Sequence, residues 1–171
     1  MFKRIAAAFA ACALTVTPGE AVTRNEFIAR LKHVGVTLVQ HPTCQDYGLE
    51  PVFGTYNAST NTMCINSDLF EPGQEALWDE TVTHETVHVI QDCINGFDEE
   101  TLVSFISHAI ENDLDTEPLV EYVSKNLSPN YYEFVQGIED GFIRDVEIEA
   151  YALEGNPQLV YEMMSSICLE R

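Results

Sequence analysis

Basic residues are scarce in this chain of 171 residues. It has 8 lysines and arginines against 28 aspartates and glutamates, which gives a formal net charge of -20. A surface with this charge repels the phosphates of nucleic acids and the headgroups of anionic lipids, so both are excluded as partners. The same charge fits high solubility, a saline habitat or attraction to a basic partner.

Long hydrophobic runs are lacking after the N-terminus. Residues 5–16 form an apolar, alanine-rich run that follows the positive start Lys3-Arg4. A run of about twelve residues is too short to cross roughly 30 Å of hydrocarbon, which disfavours a membrane anchor. The positive start, the short apolar run and the small residues after it predict a secretory signal peptide over residues 1–21, cleaved after Ala21. In the alternative interpretation, a lipoprotein, cleavage falls before Cys12.

The cysteines are isolated, and the chain has no C-x-x-C pair, which disfavours a cysteine zinc site. Removal of the signal peptide leaves four cysteines in a single predicted domain, residues 22–171. This domain is predicted to be secreted or periplasmic and to have no contact with a membrane. An even number of cysteines in a small exported domain indicates two disulfides, for which three pairings are possible. We favour Cys44–Cys64, between neighbouring strands, and Cys93–Cys168, between the central and last helices. Reduced, buried cysteines are the alternative.

Strand patterns are few, and helical patterns dominate the chain. A helix is predicted over residues 23–32, then a strand at 36–39 and a hairpin formed by 51–56 and 62–65. The strongest helical pattern covers residues 75–94. Further helices are predicted at 99–112, 117–127, 130–136 and 139–154, with a last one starting at Asn156-Pro157. This order predicts an α+β fold, with helices packed on one side of a small sheet.

The strongest predicted helix contains His84-Glu85-Thr86-Val87-His88, which matches the motif H-E-x-x-H. Residues four apart lie on the same helical face, so both imidazoles can reach one ion. Catalytic zinc sites use three protein ligands and keep one position open for water, whose pKa the metal lowers from about 16 to about 7. Glu85 is placed to act as the general base. The alternative is a pair of surface histidines on an acidic helix.

A third ligand is required, and it does not follow the motif directly. Gln91 and Ile94 occupy the positions of glycine and histidine in the longer motif H-E-x-x-H-x-x-G-x-x-H, so that class is excluded. Glu147, in the predicted helix 139–154, is the favoured ligand. Glu149 is the rival, and because it lies two residues on, it faces another side of the helix. Both glutamates could instead be solvated helix charges.

The H-E-x-x-H motif followed by Glu147 on a later helix resembles the gluzincins, zinc peptidases of the thermolysin type whose ligands are two histidines and one glutamate. The resemblance covers roughly residues 52–155. It implies a minimal zincin-like metallopeptidase domain in which His84, His88 and Glu147 bind Zn²⁺.

A second run strengthens the resemblance. Arg144-x-x-Glu147-x-x-Ala150 is similar to the second-helix motif of the membrane prenyl-protein peptidases and their bacterial heat-shock relatives. In that motif the glutamate is the ligand, the alanine permits close helix packing, and an aspartate follows. This spacing to the alanine favours Glu147 over Glu149. Tyr151 stands at the position of the aspartate, so the carboxylate expected to orient a histidine is missing there.

Tyrosines and the remaining acidic residues and histidines are further candidates. Tyr151 lies one helical turn after Glu147, so it could donate a hydrogen bond to the oxyanion of a tetrahedral intermediate, with a packing role as the alternative. The weaker candidates for that task are Tyr122, Tyr131 and Tyr132. Either Asp79 or Asp145 could orient an imidazole. The remaining histidines are predicted to be surface or structural residues: His33, His41 and His108.

The predicted hairpin suggests how a substrate is bound. An edge strand beside the motif helix can bind an extended peptide by adding it to the sheet, and residues 54–65 are placed for this; an ordinary core hairpin is the alternative. The sequence thus predicts a secreted zinc metallopeptidase that acts on peptides or proteins. A catalytically inactive zinc-binding or interaction domain and a helical domain without zinc are the alternatives. The presence of Glu85 favours the enzyme, because a purely structural zinc site does not need it.

Overall fold

The computed structural model of the chain describes residues 21–41, 44, 52–97 and 101–169. Residues 1–20 of the predicted signal peptide, including Cys12, lie outside the described residues. In the described ranges the chain forms seven α-helices and a three-stranded mixed sheet, which confirms the predicted α+β class. None of these helices is both long enough and apolar enough to cross a bilayer.

Most elements lie where the sequence predicts them. The strands are β1 (Thr37–His41), β2 (Gly54–Asn57) and β3 (Thr62–Asn66). The helices are α1 (Arg24–His33), α2 (Glu75–Asn95), α3 (Phe105–Glu111), α4 (Glu117–Asn126), α5 (Pro129–Gln136), α6 (Gly141–Leu153) and α7 (Pro157–Cys168). Side-chain caps explain several starts: Thr23, Ser128, Asp140 and Asn156 each accept a hydrogen bond from an amide in the first turn of the helix that follows.

The three strands are arranged in the order β1-β3-β2. Strands β2 and β3 form the predicted antiparallel hairpin, with Tyr56 opposite Met63, and β1 pairs with β3 in parallel. A single 3₁₀ turn connects the hairpin strands, and Asn61 after it adopts a left-handed conformation (φ 47°) that asparagine tolerates. Strand β2 is therefore at the edge of the described sheet.

Helix α2 is enclosed by the rest of the protein. Every residue from position 81 to 93 is buried, because the helix packs against β2 on one side and against α6 and α7 on others. The helix ends at Gly96, whose φ of 91° is the left-handed conformation typical of a glycine helix stop. The H-E-x-x-H motif lies in the enclosed part, and His84 and His88 are 9% and 6% exposed. Two surface histidines on a solvated helix are thereby ruled out.

The helix predicted over residues 99–112 is shorter in the structure. Residues 101–104 are not helical, and α3 begins only after Ser104, whose hydroxyl accepts a hydrogen bond from an amide of the first turn. The carboxylate of Glu149, on another helix, also accepts hydrogen bonds from the backbone amides of Phe105 and Ile106. These bonds help to fix the start of α3. The helical spacing of Phe105, Ile106 and Ile110 in the sequence predicts that all three face inward; for Ile110 this is wrong, since it is 62% exposed.

Both predicted disulfides are present. Cys44–Cys64 attaches β3 to the segment after β1, and Cys93–Cys168 joins the end of α2 to the end of α7. Disulfides persist in oxidising compartments, so both bonds fit an exported protein.

Candidate metal centre

His84 and His88 from α2 and Glu147 from α6 converge on one point. One potential ligand atom from each lies within 4.8 Å of the others. Nε2 of His84 is 3.4 Å from Oε2 of Glu147, and Nε2 of His88 is 3.4 Å from Oε1 of the same residue. These three side chains form a group that could hold a metal ion.

The donor set and its spacing fit a zinc-sized ion. Zinc binds imidazole nitrogen and carboxylate oxygen at about 2.0–2.2 Å, which places the ligand atoms of a tetrahedral site about 3.3 Å apart. The two imidazole nitrogens are each 3.4 Å from a different oxygen of Glu147, close to this value, and the three ligand atoms all lie within 4.8 Å of one another. Imidazole nitrogen and carboxylate oxygen are both ligand types that zinc accepts.

Hydrogen bonds fix the orientation of both imidazoles. Nδ1 of His84 donates to Oε2 of Glu154 at 2.9 Å, and Nδ1 of His88 donates to Oε1 of Gln91 at 2.8 Å. Both acceptors are buried. With a proton on Nδ1, Nε2 is the ring nitrogen that faces Glu147, and it becomes available to a metal when its own proton is lost. These partners are the supports that metal-binding histidines require.

Neither acceptor was found by sequence reasoning. Asp79 forms an ion pair with Arg24 at 2.6 Å and not a hydrogen bond to either imidazole, and Asp145 is exposed. The prediction that one of these aspartates orients an imidazole is not supported by their positions. Gln91 lies three residues after His88, a spacing that places both on one helical face and was an available signal.

Glu149, the rival ligand, is placed behind the site rather than in it. Its side chain is fully buried and accepts four hydrogen bonds, from Ser104 Oγ, the amides of Phe105 and Ile106, and Nε2 of Gln91. Burial raises the pKa of this carboxyl even though the four donors act in the other direction. Glu149 thus holds Gln91, which in turn holds His88.

The site attracts positive charge. Burial disfavours protonation of His84, but the carboxylates of Glu147 and Glu154 outweigh it and raise the pKa of this imidazole to about 10. Burial likewise disfavours ionisation of Glu147, yet contact with the two histidines lowers the pKa of its carboxyl. In the chain without an ion, protons on the imidazoles compensate the carboxylates, and a divalent cation would replace them in this role.

Tyr151 lies beside the metal group. Its ring packs edge-on against His84 with centroids 4.6 Å apart, and it stacks on Tyr131 at 4.2 Å. Burial, followed by the nearby charge of Glu147, raises the pKa of the Tyr151 hydroxyl, which therefore stays protonated at neutral pH. Of the other tyrosine candidates, Tyr131 lines the same cavity, whereas Tyr132 is exposed and the Tyr122 hydroxyl contacts Asn156.

The three remaining histidines lie away from this centre. His33 and His41 are exposed, as predicted. His108 is partly buried on α3, and burial lowers the pKa of its imidazole. Among the described residues, none of the three belongs to the group that could hold a metal.

Glu85 is buried and faces the cavity next to the edge strand. A Cβ atom on Gly54 would lie 2.7 Å from Thr81 Cγ2 and 3.0 Å from Glu85 Cγ, both closer than ordinary packing allows. Glycine therefore permits β2 to approach the motif helix at the residue proposed as the base. The role of this glycine was not predicted from the sequence.

A cavity of about 620 Å³ contains the metal group. Strand β2 and helix α2 form one side, and residues of α5 and α6 form the other. Its walls include the ligands His84, His88 and Glu147, the buried Glu85, and apolar side chains such as Phe134 and Ile143. The volume is in the range of small-molecule and peptide sites.

Comparison of the chain with protein-family models, with curated proteins and with solved structures found no match.

Proposed function

We propose that the chain is an exported zinc metallopeptidase of the gluzincin type. The observation that supports this most strongly is the combination, in one cavity, of two histidines and a glutamate at metal-binding distances with Glu85 beside them. A purely structural metal site is normally closed by four protein ligands and needs no adjacent carboxylate. This cavity instead leaves room for a substrate.

His84, His88 and Glu147 would hold the ion. When bound there, zinc supplies a Lewis acid that polarises a carbonyl and lowers the pKa of water to about 7. Glu154 and Gln91 keep both imidazoles in the tautomer that coordinates through Nε2. The chain therefore provides both the ligands and the groups that orient them.

Glu85 acts as the general base in this proposal. It accepts a proton from the attacking water and delivers it to the leaving amine, so that one carboxylate serves both halves of the reaction. The Tyr151 hydroxyl, which stays protonated, donates a hydrogen bond to the developing oxyanion. Stacking on Tyr131 and contact with His84 limit the positions that the Tyr151 ring can adopt.

Strand β2 positions the substrate. It is at the edge of the described sheet, lines the cavity through Gly54, Thr55 and Tyr56, and runs beside α2. An extended peptide can add to such an edge through main-chain hydrogen bonds, which places its scissile bond next to Glu85. The Tyr56 hydroxyl donates to Asp92 on α2 at 2.6 Å and so holds the strand against the motif helix.

The test is metal content followed by hydrolysis. Purified residues 22–171 should contain one zinc per chain, a Glu147→Ala variant should contain none, and an Asp145→Ala variant, changed at an exposed site on the same helix, should keep it. The zinc-loaded protein should cleave a mixed peptide library, and Glu85→Gln should abolish cleavage while zinc is retained. Absence of zinc after reconstitution would refute the metal site. Zinc without cleavage would favour the inactive binding domain instead.

A further inference from the structure

The cavity that contains the metal group is lined by more glutamates than the proposed reaction needs. Four glutamates line it, and the described lining residues include no lysine or arginine. Glu147 belongs to the metal group, Glu85 is the proposed base, and Glu154 accepts the proton of His84 Nδ1. Glu80 is the fourth, and the reaction assigns it no task.

Glu80 lies one helical turn before His84, on the same face of α2. It is partly buried and lines the cavity. Burial, followed by the charge of Glu154, raises the pKa of this carboxyl, while the charge of His84 acts in the opposite direction. The Tyr131 ring lines the same cavity as Glu80.

This carboxylate is partly shielded from water and carries the same charge as Glu154, which lines the same cavity. A cation would relieve both effects, because it would replace lost hydration and screen the repulsion between the two carboxylates. A lysine or arginine side chain fits the surroundings, since Leu77, one turn earlier on α2, and the Tyr131 ring line the same cavity and can pack against an aliphatic stem.

We propose that Glu80 is a specificity-determining residue that selects peptides with a lysine or arginine side chain next to the metal centre. This inference rests on the proposed peptidase function, because it names the substrate class of that site. The formal net charge of -20 acts in the same direction, since it attracts basic peptides over longer distances. Glu80 supplies the local contact that distinguishes one basic position from general attraction.

Binding measurements separate this proposal from catalysis. Zinc-loaded Glu85→Gln protein is titrated with fluorescent peptides that differ at one position, with either lysine or the uncharged, similarly long methionine. We expect the best lysine peptide to bind about tenfold more tightly than its methionine partner, the effect of one charged hydrogen bond of about 1.4 kcal/mol. Adding Glu80→Gln should remove this preference. Adding Glu75→Gln, the same charge change at an exposed site in the first turn of α2, should leave it intact.

Each outcome has a defined meaning. Equal binding of lysine and methionine peptides at every position, no binding of either, or an equal loss in the Glu80→Gln and Glu75→Gln proteins would overturn the role of Glu80. A lysine preference that depends on Glu80 supports it. If that preference is found while the wild-type protein cleaves none of the same peptides, the subsite stands and the proposed peptidase activity fails.

Discussion

Glu154 offers a direct test of how the metal site is built. Its Oε2 accepts the Nδ1 proton of His84 at 2.9 Å, and the side chains of both residues are almost fully buried. A Glu154→Ala change leaves that N–H without its acceptor and allows the ring to turn or change tautomer. The three side chains that would bind the metal are untouched by this change, so any loss of affinity comes from the lost acceptor or the lost charge of Glu154.

The size of the effect follows from the kind of bond that is lost. A hydrogen bond to a charged group contributes about 1.5–3 kcal/mol, and outer partners of metal-binding histidines are commonly responsible for about 10–100-fold in metal affinity. We therefore expect Glu154→Ala to weaken zinc binding about 10–100-fold. Glu154→Gln keeps an acceptor oxygen and removes only the charge, so its loss should be smaller, about threefold to tenfold.

Competition with a chromophoric chelator at fixed pH measures these affinities. Glu133→Ala, on the exposed side of α5, is the matched control for loss of one glutamate and should bind zinc like the wild type. Wild-type affinity in the Glu154→Ala protein would refute the reasoning. Equal losses in the Gln and Ala variants would show that the charge matters and the acceptor oxygen does not.

Three further predictions concern stability and the edge strand. In the Glu149→Gln protein, the NH2 group of the new side chain points at buried hydrogen-bond donors and cannot accept from them. The unfolding free energy measured in urea should therefore fall by about 2–4 kcal/mol. Replacing Cys93 and Cys168 by alanine opens a loop of sequence separation 75 and should lower it by about 4 kcal/mol. Gly54→Val forces β2 away from α2, so peptide hydrolysis should fall at least about tenfold with zinc content unchanged.

These predictions have their own controls. Gly155→Ala is the counterpart of the Gly54 change, because nothing lies within 4 Å of a Cβ at that position, and it should leave hydrolysis intact. An unchanged urea midpoint in the Glu149→Gln protein would contradict the buried network. If the cysteine variant unfolds like the wild type, Cys93–Cys168 contributes nothing to stability. Loss of zinc in the Gly54→Val protein would mean that the strand supports the metal group itself.

The parts of the site that follow local patterns were predictable. The H-E-x-x-H spacing fixes both histidines on one face as soon as the segment is helical, and the hairpin follows from two β-rich runs with turn residues between them. The two disulfides also match the favoured pairing, because each joins cysteines on elements that lie side by side. Glu147 was favoured over Glu149 only through a resemblance, because spacing alone leaves the packed face of a later helix undecided.

The groups that orient the histidines were harder to predict for a physical reason. Glu154 and Glu149 stand among many glutamates in an acidic sequence, where a carboxylate is usually solvated. Which of them become buried depends on how α6 packs against α2, and no periodic pattern encodes that. The short helix α3 shows the same limit. Its apolar spacing extends to residues before Ser104, but the cap at Ser104 and the carboxylate of Glu149 set its start.

The four hydrogen bonds to Glu149 connect the candidate metal centre to the start of α3, which contributes none of the three candidate ligands. Its carboxylate holds the first amides of α3, at Phe105 and Ile106, and through Gln91 it also supports His88. Zinc bound at this centre would therefore link opening of the segment to its own release. Zinc at about 100 times its dissociation constant would slow solvent exchange of those two amide protons by about 100-fold. Two backbone protons of α3 would thus report the occupancy of the metal centre without any probe placed on it.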